Sequence, residues 1–173
     1  ENLILYPSVQ SKDKAENTNV PREEIPPGAR EFYHDFGRLI HEKTGKIVED
    51  LADYQYKIWD DKSRYRLIIK SQKVGLSTSC LLEDFQKALT TCKGKQILVI
   101  AQSQQHANEH LQTLKRLIYH SDKYRKYLIT GSDELTFKEE KTKMSEIFIH
   151  NPDDPGNHTR IIGLGTTEGM IWS

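Results

Sequence analysis

Residues 66–78 read Arg66-Leu67-Ile68-Ile69-Lys70-Ser71-Gln72-Lys73-Val74-Gly75-Leu76-Ser77-Thr78. The opening five are short and rich in branched apolar side chains, which predicts a strand over residues 66–70. A loop then leads through Gly75 to a helix predicted from about residue 77 to residue 91. Lys93-Gly94-Lys95 is a turn, and Gln96-Ile97-Leu98-Val99-Ile100-Ala101 is a nearly continuous apolar run of strand length. Such a run is expected of a strand buried on both faces. A second helix is predicted over residues 104–120, with Ala107, Leu111, Leu114, Leu117 and Ile118 on one side. Strand, helix, strand, helix in close succession predicts an α/β fold with a mainly parallel sheet and crossover helices.

Upstream of this unit, Ala29, Phe32, Phe36, Leu39 and Ile40 follow helical spacing from Pro27 onward, with Thr44-Gly45-Lys46 as the stop. Ile47, Leu51, Tyr54, Ile58 and Trp59 predict a further helix over residues 47–59, broken by Asp60-Asp61-Lys62-Ser63. Residues 1–27 are polar, aperiodic and interrupted by Pro21, Pro26 and Pro27, so they read as a flexible N-terminal arm. The other reading of the arm is a clasp on a neighbouring subunit, anchored by Leu3, Ile4, Leu5 and Tyr6. Downstream, residues 135–137, 147–149 and 160–164 are short strand candidates, and Asn151-Pro152-Asp153-Asp154-Pro155-Gly156-Asn157 is a turn-rich connector.

The chain has 173 residues, with 36% hydrophobic and 29% charged side chains. Residues 28–173 suffice for one α/β domain with a sizeable core. Formal net charge is +0, so any nucleic-acid contact has to come from a local patch. Cys80 and Cys92 fall at opposite ends of one predicted helix, too far apart to bridge, and neither has zinc-ligand spacing. A reducing, cytoplasmic setting suits them. No run approaches the roughly 20 apolar residues that span a bilayer, so no membrane role is expected. The chain opens at Glu1 without a methionine and stops as an apolar stretch begins at Met170-Ile171-Trp172, so it reads as part of something larger.

The chemistry of the 66–78 stretch follows from its helix start. A helix N-terminus offers unpaired N–H groups and partial positive charge to phosphate oxygens. A glycine there admits the phosphates without a Cβ clash, a hydroxyl can ligate Mg²⁺, and a lysine neutralises the outer phosphates. Gly75 and Ser77 occupy the second-glycine and hydroxyl places of G-x-x-x-x-G-K-[ST]; Lys70 stands where the first glycine belongs and Leu76 where the lysine belongs. Lys70 or Lys73 would then bring the charge from before the glycine. The competing reading is a plain strand-to-helix turn capped by Ser77.

Lys70-Ser71-Gln72-Lys73-Val74-Gly75-Leu76-Ser77 resembles the variant phosphate loop of large terminase subunits of tailed bacteriophages, where a lysine opens the loop and none follows the glycine. Leu51-Ala52-Asp53-Tyr54-Gln55 resembles the adenine-reading segment before that loop; a side-chain amide can both donate to and accept from the adenine edge. The other reading of Gln55 is a polar residue on a helix's outer face. Residues 97–103 are similar to the family's second strand, and Thr166-Thr167-Glu168-Gly169 to the region before its acidic strand, with Glu168 where an arginine is common. The resemblance implies a RecA-like P-loop NTPase fold, here an incomplete ATPase domain. It implies ATP and Mg²⁺ as cofactors, with Lys70, Lys73, Val74, Gly75, Leu76, Ser77 and Thr78 around the phosphates, Ser77 on the metal and Gln55 at the base. Double-stranded DNA, a homo-oligomeric ring and a portal or small terminase subunit are the implied partners, and a host cytoplasm the implied location.

Hydrolysis further needs a carboxylate ending an apolar strand, and no Asp or Glu follows four apolar residues after the loop. Asp153 and Asp154 read as turn formers. The chain is therefore expected to bind ATP and turn it over negligibly. A helicase-type ATPase shares this order of early motifs, and a non-hydrolysing interaction module with a degenerate phosphate loop is the alternative from another class. Lys115, Arg116, Lys123, Arg125 and Lys126, interleaved with Tyr119, Tyr124 and Tyr127, form the best basic-aromatic cluster; a solvated helix face with tyrosines turned inward is the favoured reading. His106 and His110 have the i,i+4 spacing of a metal clamp but read as an exposed helix face.

Overall fold

The structure is a computed structural model that describes residues 24–37, 39–40, 47–71, 75–129, 145–154 and 156–166. The chain is mixed α/β. Helix α1 (Ala29–Phe36) is followed by two short strands, β1 (Leu39–Ile40) and β2 (Ile47–Val48), then by helices α2 (Asp53–Asp60) and α3 (Leu76–Leu89). Strand β3 (Gln96–Ala101), helix α4 (Gln104–Tyr119), a 3₁₀ turn (Arg125–Tyr127) and strands β4 (Glu146–Ile149) and β5 (Thr159–Gly165) complete it.

The two upstream helices are shorter than their periodicity predicts. Gly37, at φ 104°, takes the chain out of α1, because only glycine enters that region without a Cβ penalty. Leu39 and Ile40, expected on the helix, instead pair antiparallel with Val48 and Ile47. The β-branched Ile40, Ile47 and Val48 favour that ladder over helix. At the other end of this layer, Asp60 Oδ1 accepts from the Ala29 N–H at 2.9 Å, so the end of α2 caps the start of α1.

β3 and β5 run parallel from Gln96–Arg160 to Ala101–Gly165, as the helix between them predicts. β4 runs antiparallel to β5, so the three-stranded sheet, in the order β3-β5-β4, is mixed rather than mainly parallel. The reason is the connection: β4 ends at Ile149 and β5 starts at Thr159, a shorter link than the dozen or so residues a parallel crossover takes. α4 packs on β5 and β3. It comes close because Gly163 has no side chain; a Cβ there would lie 3.0 Å from Leu111 Cδ1 and 3.3 Å from Ala107 Cβ.

Among the described residues only one face of the sheet is covered. Ile147, Ile149, Thr159 and Ile161 point inward and are buried with Leu111, Leu114 and Ile118 of α4 and with Leu82, Phe85 and Leu89 of α3. Phe32, Phe36, Phe85 and Tyr124 form the aromatic centre, with ring centroids 5.2–6.3 Å apart. β3 was expected to be buried on both faces. Instead its inner residues Ile97 and Val99 are half-buried, while Leu98 and Ile100 are 53% and 63% exposed.

The largest difference concerns residues 66–70. They have no regular secondary structure and pair with no strand among the described residues. Leu67 is 91% and Ile69 92% exposed. The segment is anchored through Arg66 instead, whose guanidinium donates to the Ile58 carbonyl and to Glu83 of α3. A charged anchor on the helix thus takes the place of a ladder. Residues 24–26 of the expected arm lie against the body: Ile25 packs on the core and Gln86 Nε2 donates to the Pro26 carbonyl at 2.7 Å. Leu3, Ile4, Leu5 and Tyr6, the strand candidate over residues 135–137 and Thr167-Glu168-Gly169 lie outside the described residues.

Candidate functional site

The site with most local chemistry is the start of α3. Gly75 sits in the left-handed region at φ 71°, ψ 2° and is the helix N-cap. Its carbonyl accepts the Ser79 N–H at 3.4 Å. Among the described residues no side-chain cap hydrogen bond forms at this end. Ser77, the capping residue of the bland reading, stands in the first turn and is exposed, Thr78 is half-buried, and Ser79 Oγ turns back to the Leu76 carbonyl at 2.9 Å. The Leu76 side chain points inward and is 5% exposed. Lys70 and Ser71, just upstream, are exposed. Lys73 and Val74 lie outside the described residues.

Gln55 of α2 reaches this helix start. Its Nε2 donates to the Gly75 carbonyl at 3.1 Å, and its Oε1 accepts from the Ala52 N–H at 2.9 Å. The second bond is the glutamine half of a capping box, the N3 side chain reaching back to the N-cap N–H. One side chain therefore closes the first turn of α2 and ties it to the start of α3. At 6% exposure Gln55 is a buried residue, not an outer-face one. Sequence spacing brings Gln55, Gly75 and Ser77 to one region, but the Gln55–Gly75 bond itself had no sequence signal beyond the amide's capacity to donate and accept.

Deeper along α3 lie charges that the sequence reading did not single out. Glu83, 3% exposed, accepts from Arg66 and from Lys87 Nζ at 2.6 Å. Asp84 is held up at about 6, first by burial, which disfavours the ionised carboxyl. The signal available for the Arg66–Glu83 pair was an apolar helix face carrying an acid, seventeen residues after Arg66.

The basic-aromatic cluster has its tyrosines inward, as expected: Tyr124 and Tyr127 are 0% and 1% exposed. Lys123 Nζ pairs with Asp35 at 2.7 Å, and the Arg125 guanidinium lies 3.9 Å from the Tyr119 ring centroid. His106 is exposed and His110 half-buried on α4. Cys80 and Cys92 are both free thiols. Among the described residues no group of three or more metal-ligating side chains occurs, and no helix is long and apolar enough to cross a membrane. Comparison with protein-family models, with curated proteins and with solved structures returns no match.

Proposed function

We propose that the start of α3 binds the phosphates of ATP, and that the chain is the nucleotide-binding part of a terminase-like DNA-packaging motor with a RecA-like ATPase fold. One observation carries the phosphate assignment. A 14-residue helix opens on a left-handed glycine that makes no side-chain cap hydrogen bond, a few residues after the exposed Lys70 and Ser71. Amides in that state favour an anion. With Leu76 turned inward, the charge comes from Lys70 and Lys73, ahead of the glycine. In this reading Gly75 lets the phosphates approach, and Val74, Leu76 and Thr78 line the loop beside them. Ser77 presents its hydroxyl to Mg²⁺. Gln55 first braces the loop, and its second N–H and spare lone pair face the adenine edge. Mg²⁺, when bound with the nucleotide, supplies charge neutralisation between the outer phosphates.

β3 runs into Gln102-Ser103 and β5 into Thr166, so neither ends on a carboxylate. This supports a chain that binds nucleotide and turns it over negligibly. Double-stranded DNA, ring partners and a portal or small terminase subunit belong to the motor reading and rest on the resemblance of residues 51–55 and 70–77.

A second reading is favoured by a different observation, the exposure of Tyr65, Leu67 and Ile69 at 81%, 91% and 92%. Such a segment suits a non-hydrolysing interaction module that docks a partner. Titration with ATP and Mg²⁺ separates the two: saturable binding weakened by Lys70→Ala or Lys73→Ala supports the phosphate site, and no binding at all supports the module.

A further inference from the structure

The hairpin joining β4 to β5 carries two histidines that the phosphate site does not use. The last ladder pair is Ile149–Thr159, so the next cross-strand pair outward is His150–His158. The main-chain bonds fix its type. The His150 N–H donates to the Tyr127 carbonyl at 2.8 Å, and the Phe148 carbonyl accepts from Ile129 at 3.0 Å. Residues 148 and 150 thus turn their backbone groups away from β5. His150–His158 is therefore a non-hydrogen-bonded pair, the antiparallel position where opposed side chains come closest.

Both histidines lie on the sheet's uncovered face, since Ile147, Ile149, Thr159 and Ile161 take the inner one. The two rings are 5.2 Å apart between centroids, with planes at 81°. That spacing matches a shared metal. With a metal–nitrogen bond of about 2.1 Å and roughly 1.1 Å from nitrogen to ring centre, a tetrahedral ion holds two imidazole centroids about 5.2 Å apart. The His150 N–H is held by the Tyr127 carbonyl, and His158 directly precedes Thr159 of the ladder.

We propose that His150 and His158 form a two-imidazole chelate for a divalent transition metal ion of the Zn²⁺ or Ni²⁺ type. Imidazole suits these ions, and water fills the remaining coordination places. The nearby cation does not oppose the ion alone, because Arg160 Nη2 is paired with Glu146 at 2.7 Å. A two-ligand site binds reversibly, and it clips the two strands together at the loop end of their ladder.

The test titrates Zn²⁺ and Ni²⁺ separately into the chain by calorimetry, with histidine-ring NMR as the site readout. One equivalent of metal is expected to bind, shifting the His150 and His158 rings together. His158→Ala, an exposed position that leaves the core untouched, and His150→Ala are each expected to weaken binding at least tenfold. The double variant His106→Ala/His110→Ala, which removes the i,i+4 pair on α4, is expected to change nothing. Acidification should weaken binding, because protons compete with the metal for the rings. Absence of saturable binding overturns the proposal. So does binding that survives both hairpin variants, or binding lost only with the α4 pair. None of these outcomes bears on nucleotide binding at α3.

Discussion

Gln55 and Gly75 are joined across twenty residues of chain, the Gln55 side-chain amide donating to the Gly75 carbonyl at 3.1 Å. A Cβ added at Gly75 would sit 3.2 Å from that same Nε2. The glycine is therefore fixed twice, by its φ of 71° and by its brace. Gly75→Ala is expected to cost about 1–2 kcal/mol from the left-handed backbone, with a further loss as Gln55 shifts. Gln55→Ala should cost about 1–3 kcal/mol by removing two side-chain hydrogen bonds, to the Ala52 N–H and the Gly75 carbonyl. In urea unfolding the double variant should lose less than the sum of the two. Strict additivity would show that the brace carries no energy.

Leu67 and Ile69 make no contribution to the core as they stand. Leu67→Ser and Ile69→Ser should each change stability by no more than about 0.5 kcal/mol. Were residues 66–70 a sheet strand packed under helices, each change would cost roughly 2–3 kcal/mol. Chemical denaturation of the two variants decides between these values, and losses in the higher range would reinstate the strand expected from sequence.

Arg66 is the anchor of that segment and one of two cations on a nearly buried Glu83. Arg66→Met should destabilise the chain by about 2–4 kcal/mol, because it leaves a buried carboxylate with half its compensation. Combining it with Glu83→Gln should recover part of the loss. A double variant no more stable than Arg66→Met alone would mean that the pair is not what holds the segment.

Asp84 gives a pH dependence of defined sign. Burial raises its folded pKa to about 6 from the ordinary carboxyl value of 3.8, so the folded state holds the proton more tightly than the unfolded one. Stability from this group is full below pH 3.8 and is lost as pH rises through about 6. Asp84→Asn should therefore be about 1–3 kcal/mol more stable at pH 7, with the difference shrinking toward zero near pH 4. Thermal melts of both proteins across that range check it. A stability gain that persists unchanged at acid pH would assign the effect to something other than ionisation.

Much of the α/β order was legible in sequence because periodicity reports burial. β3 lies over residues 96–101 as expected, and α4 and β5 match to within a residue or two at each end. Three features were not legible. Gly37 ends α1 through a backbone angle that spacing does not encode. The apolar run at 66–70 fits a strand by composition, but composition cannot say whether a neighbouring edge is there to pair with it. The continuous apolarity of β3 suggests two covered faces, while its outer residues Leu98 and Ile100 lie open. At the candidate site, Gly75 was readable from the loop pattern. The role of Gln55 as a brace was not, because it depends on how α2 packs against the start of α3.

The central claim is that phosphates bind at the start of α3 with their charge met from before Gly75. Calorimetric titration of ATP with Mg²⁺ into the wild-type chain, Lys70→Ala and Lys73→Ala tests it most directly. Saturable wild-type binding, weakened at least tenfold in one or both variants, is the predicted result. No binding by the wild-type chain, or binding equally strong in both variants, would contradict it.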